Sequence, residues 1–259
     1  MSFKVNLKNK AMKKAVKRFF IGLGLFILLI IIFISVYAYK ANAELKKMHT
    51  IETKEVIAPV FALQNTYVNM FLIQDDSNYI AIDAGNDRYA IEGAMKKLHI
   101  NPDKVVAVLL THTDSDHTAA LSVFKNAKVY LSQQEEKLLT GEKSRFLFFG
   151  NKIDATEYIL IRDQAIFNIG NTKIKGILMQ GHTFGSMSFL INDKYLFVGD
   201  ALGLKEGKIA PFPTLFNTDS KAARKAMSNI IDLPTAAYIF TAHFGYTDDY
   251  QNAVKDWKE

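Results

Sequence analysis

The chain contains no cysteine. Disulfides, zinc–thiolate sites and thiol nucleophiles are therefore excluded. Acidic residues are missing from positions 1–18, which carry Lys4, Lys8, Lys10, Lys13, Lys14, Lys17 and Arg18. This tail accounts for the formal net charge of +6, because after it 25 basic residues face 26 acidic ones. No basic and aromatic stripe occurs elsewhere, which argues against nucleic-acid recognition. Charge of either sign is then absent from Phe19 to Tyr39, 21 residues reading FFIGLGLFILLIIIFISVYAY. At a rise of about 1.5 Å per residue, a helix of that length crosses a hydrocarbon core about 30 Å thick. No internal repeat or low-complexity stretch is present.

The basic tail should stay in the cytoplasm by the positive-inside rule, leaving the remainder outside. A cleaved signal peptide is the alternative, since Ala41-Asn42-Ala43 offers a signal-peptidase pattern, although the apolar run exceeds the usual core of about 7–15 residues. Both readings put the main domain beyond the cytoplasmic membrane, anchored in one case and secreted after Ala43 in the other. The expected organisation is a basic tail at 1–18, a transmembrane helix at 19–39, a polar stalk at 40–55 and one folded domain at 56–259.

Within that domain, 49% hydrophobic and 12% aromatic content over the whole chain supplies ample core. Short segments rich in β-branched and aromatic residues read as strands at 60–64, 67–74, 79–85, 105–110, 128–132, 165–170, 173–179, 186–192, 195–200 and 237–242. Helical spacing covers Arg88–His99, 133–140, Thr218–Ile231 and Asp248–Trp257. The apolar runs VVAVLL and YLFVG read as strands buried on both faces, so sheets covered by helices are expected.

Polar residues recur where strands stop. LLTHTDSDHTAAL, residues 109–121, packs His112, Asp114, Asp116 and His117 directly after one strand. His182 follows KIKGILMQG, Asp200 ends YLFVGD and His243 ends AYIFTAH. Side chains at strand ends on one side of a sheet converge from distant positions. Four imidazoles and three carboxylates suit zinc, iron or manganese. They also suffice for two divalent ions, with Asp200 able to bridge through its two oxygens. Any one of these residues alone reads as a loop histidine, a turn aspartate or a helix cap; their number and order favour ligation. His49 and His99 read as structural or solvent-facing.

THTDSDH, GHTFGS, GD and AHFG, in this order, resemble the motifs of the metallo-β-lactamase superfamily, T-H-x-H-x-D-H, G-H-T-x-G-S, G-D and a late His. AIDAG matches the family's early Asp motif. The resemblance runs from about Val56 to the end. It implies an αββα sandwich with two divalent metal ions at one edge, zinc first, with iron or manganese as alternatives. One ion would take His112, Asp114 and His182, the other Asp116, His117 and His243, with Asp200 bridging and Asp83 orienting a ligand. A hydroxide between the ions would be the nucleophile, and Asp116 would be the catalytic residue that orients it or shuttles its proton.

Two positions depart from the pattern. Phe184 replaces the usual Pro, and Asp114 stands where the family has His. An additional anionic ligand lowers Lewis acidity and favours harder metals; the flavodiiron branch carries Glu there and binds iron. The expected function is thus a membrane-anchored, extracytoplasmic metal-dependent hydrolase acting on an ester, thioester, lactone, amide or phosphoester. A diiron redox protein and a metal-stabilised binding module are the alternatives. Only 16 residues follow His243, which disfavours the added helical domain of glyoxalase II-like enzymes. The expected partners are a small-molecule or cell-envelope substrate and the membrane, with no nucleic acid and no obligate protein partner.

Overall fold

The structure, a computed structural model, describes residues 3–145 and 149–258. It falls into two units, 1–47 and 48–259. The first is a single helix, α1 (Phe3–Leu45), long and apolar enough to cross a membrane. Its apolar side chains from Phe19 to Tyr39 stand exposed rather than packed in a core. The expected stalk is divided between the units. Residues 40–45 continue α1, where Ala, Asn, Glu and Leu sustain a helix without a breaker. Residues 48–55 belong to the second unit. There Asn69 clamps Ile51 through both its N–H and C=O, at 2.7 and 2.8 Å, and Ile51 is buried.

The second unit opens with a meander of β1 (Lys54–Ile57), β2 (Val60–Asn65), β3 (Val68–Asp75) and β4 (Asn78–Ile82), all antiparallel. Helix α2 (Arg88–Lys97) then returns the chain to β5 (Val105–Leu109), parallel to β4. Asp87 caps α2 by accepting from the Ala90 N–H, as an N-terminal Asp should. The short α3 (Ser115–Thr118) follows β5, and β6 (Lys128–Ser132), α4 (Glu136–Leu139) and β7 (Ile159–Ile161) complete a seven-stranded sheet. A second sheet of six strands contains β8 (Ile166–Ile169), β9 (Thr172–Leu178), β10 (Met187–Ile191) and β11 (Tyr195–Phe197). A hairpin of β12 (Gly203–Lys205) and β13 (Lys208–Ala210) and helix α5 (Ser220–Ala226) precede its last strands, β14 (Tyr238–Phe240) and β15 (Tyr246–Thr247), and α6 (Tyr250–Val254) closes the chain.

Alternation along the strands builds the layers. In β3, Met70 and Leu72 face α2 with Ile91 and Met95, while Phe71 and Ile73 face the other sheet. In β10, Met187, Phe189 and Ile191 face inward and Leu190 faces the helices beyond. Phe71, Phe197 and Phe240 meet between the sheets with ring centroids 4.8–5.3 Å apart. Burying each such ring contributes about 1.5–3 kcal/mol, and each pair about 0.5–1.5 more. The result is the expected αββα sandwich, with the central strands of each sheet buried on two faces. Strands β1, β7, β12, β13 and β15 are additions of four residues or fewer that the sequence pattern did not show.

Candidate metal centre

Strand register decides which polar residues meet. β11 and β14 are parallel, with Phe197 opposite Phe240. Three residues beyond each partner come Asp200 and His243, which therefore emerge side by side; the His243 Nε2 lies 3.2 Å from Asp200 Oδ1. β4 and β5 are parallel too, with Ile82 opposite Leu109. Asp83 leaves β4 beside Thr111, whose N–H it accepts at 2.7 Å. The Met187 N–H donates to the Thr111 carbonyl at 2.8 Å, joining the two sheets at this edge. The β9–β10 connection then delivers His182, whose Nε2 lies 3.5 Å from Asp200 Oδ2.

All seven residues singled out in the sequence come together. The ligating atoms form three overlapping groups, each spanning no more than 4.8 Å: His112, Asp114 and His182; His112, His117 and Asp200; Asp116, His117 and His243. Asp200 faces both sides, with Oδ1 toward His117 and His243 and Oδ2 toward His182. Ser115 and Asp116, the caps that a helix-cap reading of the loop would assign, lie inside α3, and Asp114 at its N-terminus makes no side-chain cap hydrogen bond.

Each imidazole is held from behind through Nδ1. Its partner is Thr111 Oγ1 for His112 at 3.1 Å, Asp83 Oδ2 for His117 at 2.8 Å, Asn217 Oδ1 for His182 at 3.3 Å and the Tyr67 carbonyl for His243 at 2.7 Å. Carbonyl and carboxylate oxygens only accept, so Nδ1 carries a proton on His117, His182 and His243, and Nε2 is the ring atom turned inward. Partners of this kind fix ring orientation at metal sites. His112 Nε2, His117 Nε2 and Asp200 Oδ1 are buried without a hydrogen-bond partner. Leaving one such atom unpaired costs about 1–3 kcal/mol. Three of them converging in one place fit a cation's donor set.

The electrostatics agree. Burial pushes the His112 ring well below its ordinary value, helped by His117 and His182. Burial acts the same way on His117, but the Asp116, Asp200 and Asp83 carboxylates outweigh it and raise the ring well above the usual range. Burial opposes ionisation of Asp200, yet the neighbouring His243 and His117 hold its carboxyl well below the usual range. Carboxylates held ionised among buried imidazoles make a well for positive charge.

Several contributors carried no sequence signal. Arg145, in the loop after α4, forks onto Asp114: Nε donates to Oδ1 at 2.9 Å and Nη2 to Oδ2 at 2.7 Å. Asn151 adds a third donor to Asp114 Oδ1 at 2.9 Å. Glu135 ties two ligand loops together. One oxygen accepts from the Thr113 N–H and hydroxyl, both at 2.7 Å; the other accepts from the Thr183 hydroxyl at 2.6 Å and the Gly185 N–H at 3.1 Å. Tyr67 acts through its carbonyl, which any residue could supply, so its identity gave nothing to read. Arg145 lies in no motif, and only the fold reveals its partner 31 positions away.

Comparison with known proteins points the same way. Residues 63–243 match the profile of the metallo-beta-lactamase superfamily. A probable metallo-hydrolase of Methanocaldococcus jannaschii is 29% identical over 151 residues, 58% of this chain and 63% of that relative, so the chain spans less than two thirds of its length. A hydroxyacylglutathione hydrolase of Glaesserella parasuis is 26% identical over 192 residues, covering 72% of this chain and 69% of the relative. Among solved structures, a B3 metallo-beta-lactamase with an active-site glutamic acid superposes with a TM-score of 0.63 at 16% identity, over 84% of this chain and 91% of that one. At that identity the likeness speaks for the fold alone.

Proposed function

Because the chain belongs to the metallo-beta-lactamase superfamily, we propose that it is a hydrolase whose two divalent metal ions, zinc in the first instance, sit among the seven clustered residues. The observation that carries this reading is the set of four Nδ1-anchored imidazoles facing buried carboxylates. One ion would be held by His112, Asp114 and His182, the other by Asp116, His117 and His243, with Asp200 between them. When bound, such ions lower the pKa of water toward 7 and polarise the bond to be cleaved.

The remaining chemistry falls to the chain's own groups. Asp116 Oδ2 lies 3.5 Å from His243 Nε2 and 3.7 Å from His117 Nε2, and its side chain is 19% exposed where Asp200 is 4%. Asp116 can therefore hold a proton at its carboxylate and pass it to solvent, which Asp200 cannot. Asp83 keeps His117 in the required tautomer. Phe212, packed against His182 and His243 at 5.0 and 5.8 Å, excludes water from one wall. The substrate class is an ester, thioester, lactone, amide or phosphoester, drawn from small molecules or the cell envelope. The redox alternative rested on Asp114 as an additional anionic donor, and the Arg145 partner offsets that charge while leaving the donor an oxygen.

The proposal extends to location. α1 would anchor the enzyme with its basic end in the cytoplasm and the catalytic unit outside; cleavage after Ala43 would instead release it. The deciding experiment is metal analysis of the full chain together with hydrolysis of an ester, thioester, lactone and phosphodiester panel. We expect about two metal ions per chain and turnover of at least one class. Asp200→Ala should lower the stoichiometry toward one and cut turnover by about a thousandfold. Unchanged metal content in that variant would remove Asp200 from the bridge.

A further inference from the structure

Arg145 is a cation at the candidate metal centre that the family motifs do not provide for. Its guanidinium is only 19% exposed, and most of its donors are committed. Nε bonds both oxygens of Asp114 at 2.9 and 3.1 Å, and Nη2 bonds Asp114 Oδ2 at 2.7 Å and the Phe216 carbonyl at 2.7 Å. Nη1 donates to Thr218 Oγ1 at 2.9 Å, and Nη2 also lies 3.4 Å from His182 Nε2. Contacts with four residues leave the fork little freedom to swing toward a substrate. The partner of that fork is the residue that departs from the motif.

Resting on the metal-centre reading above, we propose that Arg145 is a positioning residue that holds Asp114 as a metal donor while cancelling its charge. A bidentate Arg–carboxylate pair is directional and always charged. Asp114 Oδ1 accepts from Arg145 Nε and Asn151; Oδ2 accepts from Arg145 Nη2 and also lies 3.2 Å from His182 Nε2 and 3.7 Å from His112 Nε2, beside the two rings it would join in ligation. The pair as a whole is neutral, like the imidazole it replaces. Two divalent ions facing Asp114, Asp116 and Asp200 would leave one net positive charge; Arg145 restores the second. An oxygen donor thus stands in the place of a nitrogen donor without making the centre more anionic.

The sign of one change separates this role from a structural one. At an effective dielectric near 20, removing a unit positive charge a few ångström from a divalent ion strengthens its binding substantially before screening. Zinc is titrated into metal-free full-length protein in detergent against a chromophoric chelator. Arg145→Gln should bind the more weakly held zinc about tenfold more tightly, and Arg145→Lys should stay within about threefold of the unsubstituted chain. Arg145→Met carries the same expectation as Arg145→Gln and replaces it if that variant does not fold. Weaker zinc binding in both the neutral and the Lys variants would show that Arg145 only holds geometry, and equal affinity in all would show that its charge is not felt; either result overturns the proposal. An unsubstituted chain that binds no zinc would instead defeat the metal-centre reading itself.

Discussion

Asp83 and Glu135 show how single buried carboxylates hold the centre without touching its middle. Asp83 adopts a left-handed backbone, φ 60°, uncommon for a residue with a side chain. The conformation places both its oxygens against Thr111 and His117, so the local cost secures one residue of the candidate metal cluster and the threonine beside it. Glu135 works differently. Burial raises its carboxyl above the usual range, opposed by the Thr183 and Thr113 hydroxyls and the Thr113 N–H. Its four donors approach in two pairs, each pair containing one backbone N–H. A Gln at this position must turn its amide N–H₂ toward one of those backbone groups. A hydroxyl can rotate to accept, but a backbone N–H cannot. Glu135→Gln should therefore destabilise the fold by about 1–3 kcal/mol, read from the denaturant midpoint at constant slope. It should also weaken zinc binding, since both the 111–117 and 181–186 loops lose a common anchor. A midpoint equal to that of the unsubstituted chain would mean the network repacks.

At the scale of elements, the close approach of the β9–β10 connection to the loop after β6 sets where His182 lands. Ser132 donates its hydroxyl to the Gly185 carbonyl at 2.6 Å. A methyl group on Gly185 would lie 2.0 Å from the Glu135 nitrogen and 2.4 Å from its Cα, both backbone atoms. Gly185→Ala must move one of the two segments. It should cost about 1–3 kcal/mol by overpacking, with His182 displaced and zinc stoichiometry reduced. Gly93 offers the opposite case. It lies exposed inside α2 with nothing near where its Cβ would be. Gly93→Ala should stabilise the protein by up to about 1 kcal/mol and leave metal content unchanged, because an alanine loses less backbone freedom in a helix. Thermal melts of both variants check the pair: opposite shifts are expected, and a melting point for Gly185→Ala equal to or above the parent would refute the packing argument.

On the scale of the whole molecule, the chain joins two solvents' worth of chemistry. α1 exposes Phe, Leu and Ile all round its axis. Such a surface suits hydrocarbon, where a helix satisfies its own backbone. The unit from Met48 onward buries its apolar residues in three clusters. The full chain should therefore sediment with membranes and resist extraction at high salt and alkaline pH, while protease added to intact cells should cut the catalytic unit away. Recovery of the full-length chain in the soluble fraction would rule out the anchor; a shortened product beginning after Ala43 in the medium would identify a cleaved leader instead.

The sequence by itself determined what depends on order and periodicity. The uncharged run from Phe19 to Tyr39 is long and apolar enough to cross a membrane whatever lies elsewhere. Continuous apolar strands called for sheets covered by helices because each face must be buried, and the two-sheet sandwich followed from the resemblance of the motifs. The four spaced His and Asp motifs were legible because the candidate ligands lie at strand ends, next to patterns that a linear reading detects. The end of the stalk was not legible, since Ile51 is held by Asn69, 18 positions on. Nor was the partner of Asp114. From sequence alone this carboxylate looks like an unbalanced charge that would harden the metal site. Tertiary structure decided its partner, bringing Arg145 from a loop without motif to within 2.7 Å. Charge balance depends on distance in space, and chain order does not encode it.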